Sequence, residues 1–267
     1  MQLSISNKMS LLNKHIILTG ANGLLGKNFA NAILTKGAKI LAVDINFVGF
    51  QEQIDPRYQN NVRYFEIDIT NEIQILEFFA TLESEKISID GLVNNAALNP
   101  KVEDGGHGLV GLENLNYVQW KKEIDLGLWA AVNISRHVAQ NMVQNNVRGS
   151  IVNIGSDYGH LAPKQSLYEK DSRKPITYSV VKYGIVGLTK YFATYYAEKG
   201  IRVNCLSPGG IFNNQDANFL NKISKEIPLG RMADKSELNG ALIFLLSEEN
   251  SYVTGVDLIV DGGRSIW

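Results

Sequence analysis

Tyr178-Ser-Val-Val-Lys182 sets a phenol and an ammonium four residues apart, with Ser156 upstream at the end of an apolar run. On a helix, residues four apart share a face, so Tyr178 and Lys182 point into one pocket. A phenol titrates near pH ~10 and is a poor base at neutrality. A fixed ammonium beside it favours the phenolate and lowers that pKa. Such a tyrosine can give or take a proton while a hydride moves to or from carbon. Ser156 follows Ile151-Val-Asn-Ile154, so its hydroxyl emerges where that strand ends. The spacing alone arises often by chance. Its position behind a nucleotide-binding start gives it weight.

That start is Thr19-Gly20-Ala-Asn22-Gly23-Leu24-Leu25-Gly26, between an apolar run and a helical one. Glycines let backbone turn tightly and approach a pyrophosphate, and the helix N-terminus offers free N–H donors. Gly20, Asn22, Gly23, Leu24 and Leu25 are assigned to this cradle. Asp44 ends the second apolar run, 24 residues after Gly20. A carboxylate there accepts from both adenosine ribose hydroxyls and repels a 2′-phosphate. No Arg or Lys lies at Asn22, Gly23, Ile45 or Asn46. NAD is therefore expected rather than NADP. Asp68 and Ile69 close the third run, where the adenine would lie. A helix cap is the plainer use of such a site, and it suits Thr70 or Asn71 better.

The elements that position these groups alternate short apolar runs with longer amphipathic ones. Strands are expected at 15–19, 39–44, 62–68, 89–94, 150–154, 201–206 and 256–260. Helices are expected at 23–36, 72–85, 115–144, 177–199 and 235–247. The runs are rich in Ile, Val and Leu with little alternation, as strands buried on both faces should be. The pattern predicts a single-domain, Rossmann-type α/β fold, a doubly wound parallel seven-stranded sheet with helices on both faces. Its ligand crevice lies at the carboxyl ends of the strands. Residues 1–13 read as an extension and 14–267 as the nucleotide-binding domain. The stretches 100–111 and 157–175 lack periodicity and follow strands, so both border the crevice.

Composition narrows the function. Lys plus Arg number 26 and Asp plus Glu 27, for a net charge of −1. That balance speaks against nucleic acid or a membrane surface as partner. No apolar stretch reaches the ~18 residues of a membrane span. Met1–Lys14 lacks a signal-peptide core. The single cysteine, Cys205, fits a reducing cytoplasm and a core position. The four histidines, His15, His107, His137 and His160, are scattered, and no metal site is expected.

Taken in order, Thr19-Gly20…Gly26, Asp68, Asn94-Asn95-Ala96-Ala97, Ser156, Tyr178…Lys182, Ser207-Pro208-Gly209-Gly210-Ile211 and Val260-Asp261-Gly262-Gly263 resemble the short-chain dehydrogenase/reductase family. The resemblance runs from about Leu12 to the C-terminus. It implies that Tyr178 is the acid/base, that Lys182 also binds the nicotinamide ribose, and that Ser156 holds the substrate oxygen. Asn95 and Ala96 would line the cofactor. Pro208, Gly209 and the Ile211 backbone would meet its nicotinamide end. Related proteins imply a homodimer or homotetramer, pairing the two long helices and using Ile266-Trp267 for a second contact. Three departures stand out. Gly23 and Leu24 give the glycine spacing of longer family members. Gly127 stands seven residues after Trp120, where many members carry a proton-relay Asn. Ser156 and Tyr178 are 22 apart, an enlarged loop.

That loop, 157–175, carries His160, Lys164, Tyr168, Lys170, Arg173 and Lys174. Such groups can grip an anionic sugar, or can be plain solvated surface. Phe212–Pro228 holds Asn213, Asn214, Gln215 and Asn218, hydroxyl-reading side chains. It is expected to close over the site as a lid. These stretches look like the flagellin-modification and surface-sugar branch of the family. The expected function is interconversion of a secondary alcohol and a ketone on a sugar or phosphosugar precursor of surface glycan or nonulosonic acid synthesis. The alternatives are a 3-oxoacyl-thioester reductase and a non-catalytic nucleotide-binding regulator.

Overall fold

The computed structural model describes residues 9–98, 112, 115–168 and 173–267. Residues 1–8 of the extension, the stretch 100–111 with His107, and Lys170 lie outside the described residues. Seven strands form one sheet: His15–Thr19 (β1), Lys39–Asp44 (β2), Val62–Glu66 (β3), Gly91–Asn94 (β4), Ser150–Ile154 (β5), Arg202–Pro208 (β6) and Asp257–Val260 (β7). Every pairing is parallel, in the order β3-β2-β1-β4-β5-β6-β7. The order reverses between β1 and β4, which opens a crevice at their carboxyl ends.

Successive side chains of a strand point to opposite faces. Along β1, Ile16 and Leu18 enter one core and Ile17 the other. Helices Leu24–Leu34 (α1) and Asn239–Leu246 (α7) cover the first face with Phe29, Ile33, Leu242 and Leu245. Helices Glu72–Ser84 (α2) and Ala130–Gln144 (α4) cover the second, joined by the C-terminal half of Ile176–Tyr195 (α5). Phe78, Ile134, Val138 and Phe192 are packed there. Both faces being covered explains the near-continuous apolar strands.

Two segments differ from expectation. The helix expected over 115–144 is Tyr117–Ile124 (α3), a wider π-helical turn over Asp125–Trp129, and α4. Gly127 in that turn is packed on α5, where a Cβ would sit 2.5 Å from Val181 Cγ1. No side chain fits there, so nothing replaces a relay Asn at that position. The second is the helix Ala217–Ser224 (α6), inside the expected lid and capped by Asp216, whose carboxylate accepts from the Phe219 N–H. Residues 9–13 run against the turn after α1, with Leu11 buried and its N–H donating to Lys36 O.

Candidate active site

A cavity of about 590 Å³ lies at the carboxyl ends of the strands. All the predicted site residues line it: Gly20, Asn22, Gly23, Leu24, Leu25, Asp44, Asp68, Ile69, Asn95, Ala96, Ser156, Tyr178, Lys182, Pro208, Gly209 and Ile211. At one end the β1–α1 turn is built from close backbone approaches. Gly20 has φ +61°, and a Cβ there would lie 2.7 Å from Ala96 Cα. At Gly26 a Cβ would meet Gly20 O at 2.1 Å. Asn95 clips the turn, its Nδ2 donating to Gly20 O at 2.9 Å and its N–H to Thr19 Oγ1 at 3.0 Å. Gly23 caps α1 without a side chain, so the first N–H groups of the helix keep no protein cap.

Asp44 is held at the rim of this turn. Its Oδ2 accepts from the Asn22 N–H at 2.9 Å and its Oδ1 from the Ile45 N–H at 2.7 Å. Lone pairs remain on both oxygens for ribose hydroxyls. Asn22 Oδ1 is a buried acceptor with no partner among the described residues. Donor groups of a bound nucleotide would satisfy it. Uncapped helix, glycine turn, rim carboxylate and orphaned acceptor together fit a nicotinamide dinucleotide. Asp68 Oδ1 accepts from the Thr70 N–H and hydroxyl, and Asn71, not Asp68, caps α2.

At the other end stand Ser156, Tyr178 and Lys182. Tyr178 and Ser156 line the same end of the cavity, where Ser156 favours the ionised form of the tyrosine. Lys182 donates to Ile154 O at 2.9 Å, and its Nζ lies 5.6 Å from the Tyr178 ring centroid. The expected lowering of the Tyr178 pKa does not occur here. Tyr178 is half-buried and lines the cavity. Burial pushes its pKa up to about 12; Ser156 pulls the other way, and Asp157 and Tyr158 add to the rise. Burial pushes Lys182 down to about 8. Its ammonium is spent on the Ile154 carbonyl, so the pair rests as phenol and weakened cation.

Two loops wall the space beyond Tyr178. Tyr158, Tyr168 and Lys174 come from the enlarged loop; Asn213, Gln215, Phe219 and Ile223 come from the lid. The Tyr168 and Phe219 rings meet at 5.9 Å. The basic residues of the loop divide in a way the sequence did not indicate. Lys164 does not line the cavity; it pairs with Glu226 at 2.7 Å, tying loop to lid. His160 is bound to Asp257 at 2.5 Å. Arg173 is exposed and outside the cavity lining. Lys174 does line it, with Nζ 3.9 Å from the Tyr178 ring centroid. Burial first, then the charge of Lys182, pushes Lys174 down to about 8, and Asp157 opposes this.

Sequence reasoning missed Asp157 and Arg264. Both line the cavity and both are buried, joined by an ion pair of 2.6 Å. They are 107 residues apart, with no shared motif to link them. The only signal was that Arg264 follows Asp261-Gly262-Gly263, a segment already matched to the family. Among the described residues no three His, Cys, Asp or Glu side chains converge as a metal site, and no helix is long and apolar enough to cross a membrane.

The family model described as enoyl-(acyl carrier protein) reductase matches residues 20–265. A 3-oxoacyl-(acyl-carrier-protein) reductase of Buchnera aphidicola subsp. Schizaphis graminum is 32% identical, over 96% of this chain and 98% of its own. A post-translational flagellin modification protein A of Campylobacter coli is 34% identical, over 95% of this chain and 98% of its own. The crystal structure of a short chain dehydrogenase from Leptospira borgpetersenii serovar Hardjo-bovis with bound NAD+ matches with a TM-score of 0.88 at 31% identity, covering 100% of this chain and 98% of that one. The chain thus belongs to the short-chain dehydrogenase/reductase family, oxidoreductases acting on CH–OH groups.

Proposed function

We propose that this protein is a cytoplasmic, NAD-dependent oxidoreductase that interconverts a secondary alcohol and a ketone on a sugar or phosphosugar precursor of surface glycans. The observation that carries the reading is one cavity with a rim carboxylate, Asp44, at its nucleotide end and Ser156, Tyr178 and Lys182 together at the other. A bound nicotinamide supplies the hydride donor or acceptor. Tyr178 gives a proton to the carbonyl oxygen in reduction and takes it from the alcohol in oxidation. Ser156 holds that oxygen. Lys182 binds the nicotinamide ribose and steadies the phenolate when it forms. Asp44 accepts from the adenosine ribose and opposes a 2′-phosphate. Asn213, Gln215, Tyr158 and Tyr168 line the substrate end with groups suited to hydroxyls, and Lys174 adds a cation for an anionic substituent. The flagellin modification protein among the relatives supports the sugar reading.

A second reading, reduction of a 3-oxoacyl thioester, is favoured by the family model and the Buchnera relative. The polar lining of the substrate end weighs against it. A steady-state panel separates them. It pairs NAD or NADH with polyols, sugar acids, phosphosugars and nucleotide sugars and their keto forms, and with acetoacetyl coenzyme A. A higher kcat/KM for the thioester than for every sugar would sink the sugar reading. NAD binding without any turnover would favour the regulator instead.

A further inference from the structure

We propose that Arg264 is a positioning residue, acting through Asp157 to fix the hydroxyl of Ser156. The proposal rests on the assignment of Ser156 above as the residue that holds the substrate oxygen. Ser156 is a three-well rotor, and its neighbours decide which well it occupies. Its hydroxyl donates to Asp157 Oδ1 at 3.0 Å. Its oxygen accepts from the Tyr158 N–H at 3.2 Å. Those two bonds fix the proton and one lone pair, and leave the other lone pair turned to the cavity that Ser156 lines. The bond to Asp157 exists only while that carboxylate keeps its place. Arg264 holds it there, Nη1 donating to Asp157 Oδ2 at 2.6 Å. The same guanidinium donates from Nη2 to the Tyr158 hydroxyl at 3.3 Å and lies 5.0 Å from the Tyr158 ring centroid. Arg264 therefore grips both residues that bond to Ser156.

Arg264 is itself fixed from behind. The Asp261 carboxylate accepts from the Gly263 N–H at 2.8 Å and the Ser265 N–H at 2.6 Å, which closes the turn that presents Arg264. Asp157 and Arg264 are 2% and 8% exposed. Buried ion pairs seldom stabilise more than apolar side chains of equal volume would. Geometry, not stability, is what this one supplies. Arg264 also tempers Asp157: a carboxylate neutralised on one oxygen competes less for the Ser156 proton. Ser156 can then turn that proton to a substrate carbonyl without breaking a full charge-assisted bond.

Three variants test this: Arg264→Gln, Arg264→Lys, and the double Asp157→Asn with Arg264→Gln, which leaves no unpaired buried charge. Crystal structures give the Ser156 hydroxyl position, and NAD titration gives cofactor affinity. Neither readout needs a substrate, so both decide the point even if the sugar reading fails. Turnover is then measured with whichever panel compound the wild type accepts. The expected result is a Ser156 hydroxyl displaced in Arg264→Gln and largely restored in Arg264→Lys. NAD affinity should be unchanged, and kcat should fall by about 10²-fold, the scale of a misplaced reacting group. The double variant should melt like wild type yet keep the loss of kcat. A Ser156 hydroxyl that stays in place in Arg264→Gln overturns the proposal. So does wild-type kcat in the double variant.

Discussion

Burial and the charges of Asp157 and Tyr158 oppose ionisation of Tyr178, and Ser156 pulls the other way. With a pKa of about 12 in the free enzyme, Tyr178 stays a phenol at neutral pH. This phenol is ready to donate, so ketone reduction needs no prior ionisation. Alcohol oxidation needs the phenolate, whose fraction grows tenfold per pH unit below the pKa. The kcat/KM for oxidation should therefore climb across roughly pH 5 to 7, below the value of about 8 at which Lys182 loses its charge, while that for reduction stays flat. An oxidation profile that levels off inside that range would show a far more acidic tyrosine. Tyr178→Phe should remove the slope and cut turnover by at least ~10²-fold, with NAD affinity nearly intact.

Asp44 makes a second prediction at this scale. Its two backbone bonds hold the carboxylate at the rim. Asp44→Asn keeps an acceptor there but loses the charge that repels a 2′-phosphate. Wild type should bind NAD more tightly than NADP, and the variant should narrow the ratio by about tenfold, on the scale of one removed like charge. Fluorescence titration of both cofactors reads this directly. A wild-type preference for NADP would refute the role given to Asp44.

Among the elements, β1, β2 and β5 were legible because both faces of the sheet are covered and their central residues, Ile16–Leu18, Ile40–Val43 and Ile151–Val152, are apolar. The Gly20 turn was legible because its glycines sit between a strand and a helix. The break in the long helix was not. It depends on Gly127 meeting Val181 of α5, a contact 54 residues away in the chain. Arg264 was hidden for the same reason, since its partner Asp157 is set by tertiary packing. The basic loop shows where reading by type fails: side chains of one charge do different work. Lys164 joins loop to lid through Glu226, whereas Lys174 lies against the ring of Tyr178. Lys174→Gln should raise KM for an anionic sugar severalfold with NAD affinity unchanged. Lys164→Ala removes only an exposed ion pair, of the kind worth about 1 kcal/mol or less, and should leave KM near wild type. Equal KM for both variants and wild type would mean that neither lysine reads the substrate.

For the whole molecule, the exposed face of α5 turned away from the sheet is where self-association is predicted. Ile176, Val180, Tyr183, Tyr191 and Tyr195 follow one another at helical spacing, and all are exposed, Tyr191 and Tyr195 to more than 60%. Tyr191 and Tyr195 stack on each other at 5.9 Å. Gly187 falls within the stripe, and a Cβ there would meet nothing within 4 Å, which leaves room for another backbone to approach. Trp129, on the adjacent π-helical turn, is also exposed. An apolar stripe of this extent usually marks an interface, and identical faces of two copies close a two-fold dimer. Ile266 and Trp267 form a separate exposed pair at the C-terminal turn, suited to a second contact. Two unlike self-complementary faces on one chain yield a dimer of dimers. Light scattering of the wild type should give a tetramer. Tyr191→Glu with Tyr195→Glu should lower the mass to a dimer held by the remaining face. A wild-type monomer at micromolar concentration would rule out both interfaces and leave the tyrosine stripe without a role.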